Sequence, residues 1–218
     1  MTTLRFAVLT MALAVPSAAP RLLSAQSTAT PPATPAAAPA AAQPARGGGG
    51  RGAIRVMTLT SSAFADGAMI PAKHAQMGRD VSPALSWSGV PDSTRSFVLL
   101  MHDADQALGN GTDDLLHWMV WGIPGTATSL PEGIPSGGQL ASGLRQISAS
   151  GPYYRGPAAP STGAAHHYVF ELYALDIVPS LVPVGMSPPA TRAAMLELLA
   201  GHVRGKGVLV GLYRRPAP

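Results

Sequence analysis

The sequence predicts an all-β fold, an antiparallel β-sandwich carrying one peripheral helix in its C-terminal region. Three observations point there. Turn formers are dense, with 24 Gly and 22 Pro in 218 residues, and they cut the chain into short apolar runs. Several of those runs have strand length and either alternate or stay apolar throughout. A single segment carries both a helix start and a helix stop.

The elements follow in order. Ile54 to Leu59 forms a first strand, and Ala84 to Trp87 a second, closed by Gly89-Val90-Pro91. Ser96 to Met101 and His117 to Ile123 are nearly uninterrupted apolar runs, as strands buried on both faces require. His166 to Leu175 alternates with period two, and Gly205 to Tyr213 closes the domain with Val208-Leu209-Val210. In the helix, Ser187 caps the start, Pro188 suits the first turn and Gly201 ends it. Ala194, Met195, Leu198 and Leu199 are expected to form its apolar stripe, laid on one side of the sandwich.

Two N-terminal segments lie outside this fold. Residues 1–25 read as a secretory signal: Arg5 is the charged start, Phe6 to Val15 the apolar stretch, and small residues suited to cleavage follow. The 15 uncharged residues between Arg5 and Arg21 fall short of the about 20 that a membrane span needs, so stable membrane insertion is not expected. Residues 26–52 hold nine Ala, five Pro and five Gly. That composition buries too little to offset ordering entropy, and the segment reads as a disordered tether. The folded domain is then 53–215. Export implies a periplasmic or secreted protein. The chain has no Cys, which excludes disulfides and thiolate metal sites.

Overall charge misleads. Four of the 15 Lys and Arg lie in 1–52, leaving 11 basic residues against 11 acidic in the domain. A neutral domain lacks the basic footprint of nucleic-acid binding.

Polar residues gather where a pocket at the end of a sandwich would form. If the chain stays extended through His102-Asp103-Ala104-Asp105, strand parity turns both aspartates to one face. His166 and Tyr168 share a face with Phe170 and Leu172, while His167 points the other way with Val169 and Glu171. His117 is expected to share its face with Met119 and Trp121. Asp113 and Asp114 read as turn residues. No HExxH, GxSxG or complete P-loop is present. No cofactor, catalytic residue or metal ligand is assigned, and the protein is not expected to be an enzyme. The alternative is a metal-dependent or hydrolytic enzyme built on the same His/Asp cluster.

Three segments, taken in order, resemble the phosphatidylethanolamine-binding protein family, nearest its bacterial Raf kinase inhibitor-like branch. RDVSPALSWSGVP (79–91) resembles the family's Ser-Pro-x-Leu-x-Trp segment. HDADQALGNGTDDLLHW (102–118) resembles its Asp-Pro-Asp-Ala-Pro…His-Trp signature, and YRGPAAPSTGAAHHYVFELYALD (154–176) its Gly-Pro…His-Arg-Tyr signature. Ala104 and Ala107 stand in place of signature prolines, and His167 in place of the arginine. The resemblance implies a pocket for a small anionic or phosphate-ester ligand lined by Asp103, Asp105, His117, Gly156, Pro157, His166 and Tyr168. It also implies a protein partner whose activity is modulated, and a homodimer. Two carboxylates suit an anion site only if they are occupied elsewhere. Asp103 and Asp105 would therefore orient the histidines, with His117, His166 and the Tyr168 hydroxyl donating to the anion and Gly156-Pro157 forming a close wall.

Overall fold

The computed structural model describes residues 53–218 apart from Val184; the expected signal (1–25) and tether (26–52) lie outside the described residues. The protein is mostly β, with strands β1 (Arg55–Ser61), β2 (Leu85–Ser88), β3 (Ser96–Leu108), β4 (Asp113–Pro124), β5 (Ser129–Leu130), β6 (Arg145–Ile147), β7 (His166–Leu175) and β8 (Val203–Tyr213). Helix α1 (Pro188–Leu199) lies between β7 and β8.

The expected antiparallel sandwich is corrected in its connectivity. The eight strands form one hydrogen-bonded sheet in the order β5-β2-β1-β8-β7-β3-β4-β6. The β1–β8 pair is parallel, with Arg55 opposite Gly205 and Thr58 opposite Val208. The sheet curls. β2 and β3 are four places apart, roughly 19 Å in a flat sheet at the usual strand spacing. Yet the Trp87 and Phe97 rings meet at 5.3 Å. Curling turns the two ends of one sheet towards each other, so a single sheet encloses a core as two stacked sheets would.

Each face has its own apolar cluster, which explains the uninterrupted runs. Phe97, Leu99 and Met101 of β3 join Trp118 and Val120 of β4 and Phe170 and Leu172 of β7 inside the curl. Val98 and Leu100 point the other way, into a cluster with Met119, Trp121, Met195 and Leu199. The first face is filled by the sheet's own strands and loops. The second is covered by α1.

β3 and β4 run further than the apolar pattern suggests. Much of 102–118 is hairpin rather than loop, with Leu108 opposite Asp113 and Gly109 and Gly111 in the turn at φ 57° and 89°. Polar residues are tolerated because the hairpin projects beyond the core. β5 and β6, two and three residues long, left no periodicity to read.

Ser187 caps α1 through its hydroxyl, which accepts from the Ala190 N–H at 3.4 Å. The stripe differs from the expected one. Thr191, Met195 and Leu199 face inward, whereas Leu198 is 39% exposed. Spacing of four places 191, 195 and 199 on one line, and 198 falls beside it. No helix among the described residues is long and apolar enough to cross a membrane.

Met195→Ala should therefore cost about 2–5 kcal/mol in urea unfolding, because Met195 is fully buried. Leu198→Ala should stay within about 0.5 kcal/mol.

Candidate functional site

The site grows from the inner face of β3, β4 and β7. Asp103, on β3, sits opposite Tyr168 of β7 and is only 1% exposed. Its Oδ1 accepts the N–H groups of Asp105 at 3.0 Å and Gln106 at 3.1 Å. Its Oδ2 lies 2.8 Å from His166 Nδ1. His166 shares a face with Tyr168, as parity requires, and its side chain is 23% exposed. A buried carboxylate thus holds a partly exposed imidazole by one nitrogen.

The turn at Asp103 changes the rest. The expectation that Asp103 and Asp105 share a face rested on an extended chain. Asp103 instead folds the backbone onto its own side chain, and pairing between β3 and β7 ends at Asp103. Asp105 is exposed and takes the His167 backbone N–H and His167 Nδ1, the latter at 2.9 Å. Its slight burial opposes ionisation, but these bonds outweigh it and hold the carboxyl below its usual value. The aspartates therefore serve two histidines on opposite faces: Asp103 with His166 inside, Asp105 with His167 outside.

His117 also departs from simple parity. Met101 pairs with Trp118 and His102 with Leu116, so His117 is the extra residue of a β-bulge. Bulges re-aim side chains. Met119 and Trp121 belong to the α1-side cluster, but the His117 ring packs edge-on against Tyr168, centroids 5.0 Å apart at 89°. The predicted face was wrong, and the bulge is the reason. His117 is 1% exposed. Its Nδ1 meets the Arg155 carbonyl at 2.8 Å, while Nε2 is buried without a partner. Burial lowers its pKa, outweighing the carbonyl bond that favours the proton.

The Tyr168 hydroxyl accepts from the N–H groups of Ala158 at 3.2 Å and Ala159 at 3.1 Å. Burial, reinforced by the Asp103 charge, raises its pKa well above the ordinary phenol value. Its oxygen anchors the loop after Pro157, and its own proton is drawn to the Asp103 carboxylate.

Gly156 and Pro157 are held by residues 74–80, which only at Arg79 and Asp80 overlap the 79–91 motif. Gly156 N–H donates to Asp80 Oδ1 at 2.6 Å, and Pro157 O accepts from Gln76 N–H at 3.1 Å. A Cβ on Gly156 would fall 2.2 Å from the His74 carbonyl oxygen. The close approach at Gly156 is thus to the protein's own backbone. Asp80 adopts φ 53°, rare for a residue with a side chain, and His74 is buried with Nδ1 2.7 Å from the Val81 carbonyl. Asp80 lay in the quoted 79–91 segment; nothing in the sequence around His74 signalled its role.

The structure therefore brings Asp103, His117, His166 and Tyr168 together, places Gly156-Pro157 behind them, and turns Asp105 away. A different polar cluster occupies the α1 side. His102 lies between Asp114, at 2.5 Å, and Glu171, at 3.8 Å. Arg192 pairs with Asp114, and Lys206 with Glu171 at 2.5 Å. Asp114 is thus an ion-pair residue rather than a turn residue. A cavity of about 600 Å³ opens there between the β3–β4 hairpin and α1, and none of the seven expected ligand residues lines it. There the Asp114 carboxylate and the Arg192 guanidinium pair with each other, although Arg192 Nε is left without a partner; we place the candidate site at the inner histidines on the strength of the Asp103–His166 pair. No group of three or more His, Asp or Glu suited to a metal occurs among the described residues.

The fold is that of a mostly β protein, a curled sheet with one covering helix and an inward Asp–His pair, and comparison with known proteins makes the class specific. The profile of the phosphatidylethanolamine-binding protein family matches residues 60–214. A UPF0098 protein of Methanothermobacter thermautotrophicus is 40% identical over 73% of this chain and 99% of its own length. One from Aquifex aeolicus is 34% identical over 73% and 90%. Among solved structures, a phosphatidylethanolamine-binding protein homologue from Chlamydia trachomatis superposes with TM-score 0.61 at 32% identity, covering 74% of this chain and 99% of its own. E. coli YbcL gives 0.59 at 26% identity, covering 73% and 98%. The chain belongs to the phosphatidylethanolamine-binding protein family.

Two outcomes follow from the geometry. Gly156→Ala should cost upwards of about 2 kcal/mol, since backbone must move to admit the methyl group; urea unfolding measures it. His117 has a folded pKa below its ordinary 6.5, so the unfolded chain takes up the proton first. Its contribution is complete above about pH 6.5 and is lost as pH falls towards the folded value. His117→Asn, which keeps a side-chain N–H for the Arg155 carbonyl, should flatten the wild-type loss of stability between about pH 7 and pH 5.

Proposed function

We propose that this is an exported binding protein, not an enzyme, that takes a small anionic or phosphate-bearing group at the inner histidine site and so modulates a partner protein. The observation that carries the reading is the Asp103–His166 pair. Asp103 holds Nδ1 at 2.8 Å, which leaves Nε2 of a partly exposed ring to face a ligand. When the ring is protonated, Nε2–H donates to an anion while Asp103 neutralises the ring charge. Charge-assisted bonds of this kind are the strong ones. Family membership supports ligand binding as the general role, and the N-terminal signal reading supports export.

Calorimetry of the full chain with phosphate and phosphoethanolamine tests the assignment. His166→Ala should weaken binding by about tenfold or more, the worth of one charge-assisted hydrogen bond. His167→Ala, on the outer face, should change it little. Equal binding by wild type and His166→Ala would sink the site. A separate zinc titration addresses the enzyme alternative: tight one-to-one zinc binding lost in His117→Ala would replace the anion reading with a metal site.

A further inference from the structure

The cavity of about 600 Å³ between the β3–β4 hairpin and α1 lies apart from the inner histidines, and its walls constrain what can fill it. Four consecutive residues of β4, Asp113 to Leu116, line it. Successive side chains of a strand point to opposite faces, so an opening that touches all four lies along the strand's edge rather than over one face. That edge is open. β3 pairs with β4 on one side, while β6 pairs with the other only over Met119–Trp121. Next to β6 the Leu116 carbonyl accepts from the Ala149 N–H. From Asp113 to Leu115 no strand lies beside that edge among the described residues. An unpaired edge is a template for an added strand, whose backbone supplies affinity and whose alternate side chains supply specificity.

The chemistry around the edge narrows the occupant. Leu108, Leu116, Pro188, Ala193 and Leu196 give the cavity an apolar lining. Both oxygens of Asp114 are engaged, one by Arg192 and one by His102. Asp113, exposed on the rim, faces no cation within ion-pair distance among the described residues. The uncompensated charge of the opening is therefore one carboxylate. Arg192 is 21% exposed and has Asp114 as its one partner among the described residues, so its guanidinium keeps donors for a carbonyl oxygen. The start of α1 adds none: Pro188 and Pro189 have no N–H, and the Ala190 and Thr191 N–H groups are taken by Ser187. An occupant with an apolar side chain, a backbone carbonyl and a cation matches all three walls.

We infer that this groove docks an extended segment of a partner protein, added to the free edge of β4, with an apolar side chain in the cavity and a Lys or Arg against Asp113. The groove is separate from the inner histidines, so this docking site goes beyond the anion-binding reading and does not depend on it.

The test is amide NMR of the isotope-labelled full chain titrated with three capped peptides. They are acetyl-Lys-Leu-Thr-Val-Lys-amide, the same peptide with Glu for both Lys, and the same peptide with Pro for Thr, which cannot pair as a regular strand. The Lys peptide should shift the amides of Asp113–Leu116 and Arg192–Leu196. It should bind about threefold or more tighter than the Glu peptide, as a rim charge pair allows, and about fivefold or more tighter than the Pro peptide, which lacks a backbone donor. Asp113→Lys should reverse the order of the Lys and Glu peptides. Ala193→Trp, which fills the cavity from an exposed position on α1, should remove binding without unfolding the domain. Equal affinity for the Lys and Glu peptides, shifts confined to other surfaces, or no binding by any of the three would overturn the inference. Self-association of the wild type that Ala193→Trp abolishes would overturn it too, by assigning the groove to a second copy of the chain. A phosphate titration of the same sample reads the inner site separately. Peptide binding without phosphate binding sinks the anion reading alone, and phosphate binding without peptide binding sinks the docking groove alone.

Discussion

A carboxylate buried to 1% exposure has to be saturated with donors, because an unpaired buried charge costs several kcal/mol. The site depends on how Asp103 meets that demand. Two of its donors are backbone N–H groups just ahead of it, which bends β3 and ends its pairing with β7. The third is His166, whose ring is thereby held in place. The same bend sends Asp105 to the outer face, where it serves His167. One buried negative charge thus shapes a strand, sets the orientation of an imidazole and separates two aspartates only two residues apart.

His117 is placed by a different irregularity. One extra residue in β4 turns a histidine that would have joined the α1-side cluster onto the Tyr168 ring. Tyr168 anchors the loop after Pro157. Asp80 and the His74 carbonyl hold that loop from behind and leave no room for a side chain at Gly156. The bulge, the strained Asp80 and the packed glycine all surround the same few residues. Local departures from regular geometry persist where neighbouring structure over-determines them, and here they hold two imidazole rings by their Nδ1 atoms.

That shared arrangement gives the site its chemical character. Each ring has Nδ1 committed to an oxygen, but the oxygens differ. The Asp103 carboxylate can balance an imidazolium at His166. A neutral carbonyl cannot do so for His117, whose pKa burial lowers.

Much of this was legible in the linear chain. Alternation in 166–175 placed His166 and Tyr168 on one face, because strand parity is local. The unbroken apolar runs announced β3 and β4, and Ser187, Pro188 and Gly201 bounded α1. The three motifs pointed to the family and to most of the residues that meet. Other features depended on contacts between distant segments. A period of two cannot reveal a bulge, since the extra residue exists only relative to the partner strand; hence His117 was read on the wrong face. Nor can it show that Asp103 bends the chain, because that follows from burying a charge. The single curled sheet, the parallel β1–β8 pair and the packing of His74 and Asp80 behind Gly156 join residues up to 150 positions apart. Side-chain periodicity records which face is buried, and only the tertiary structure decides against what.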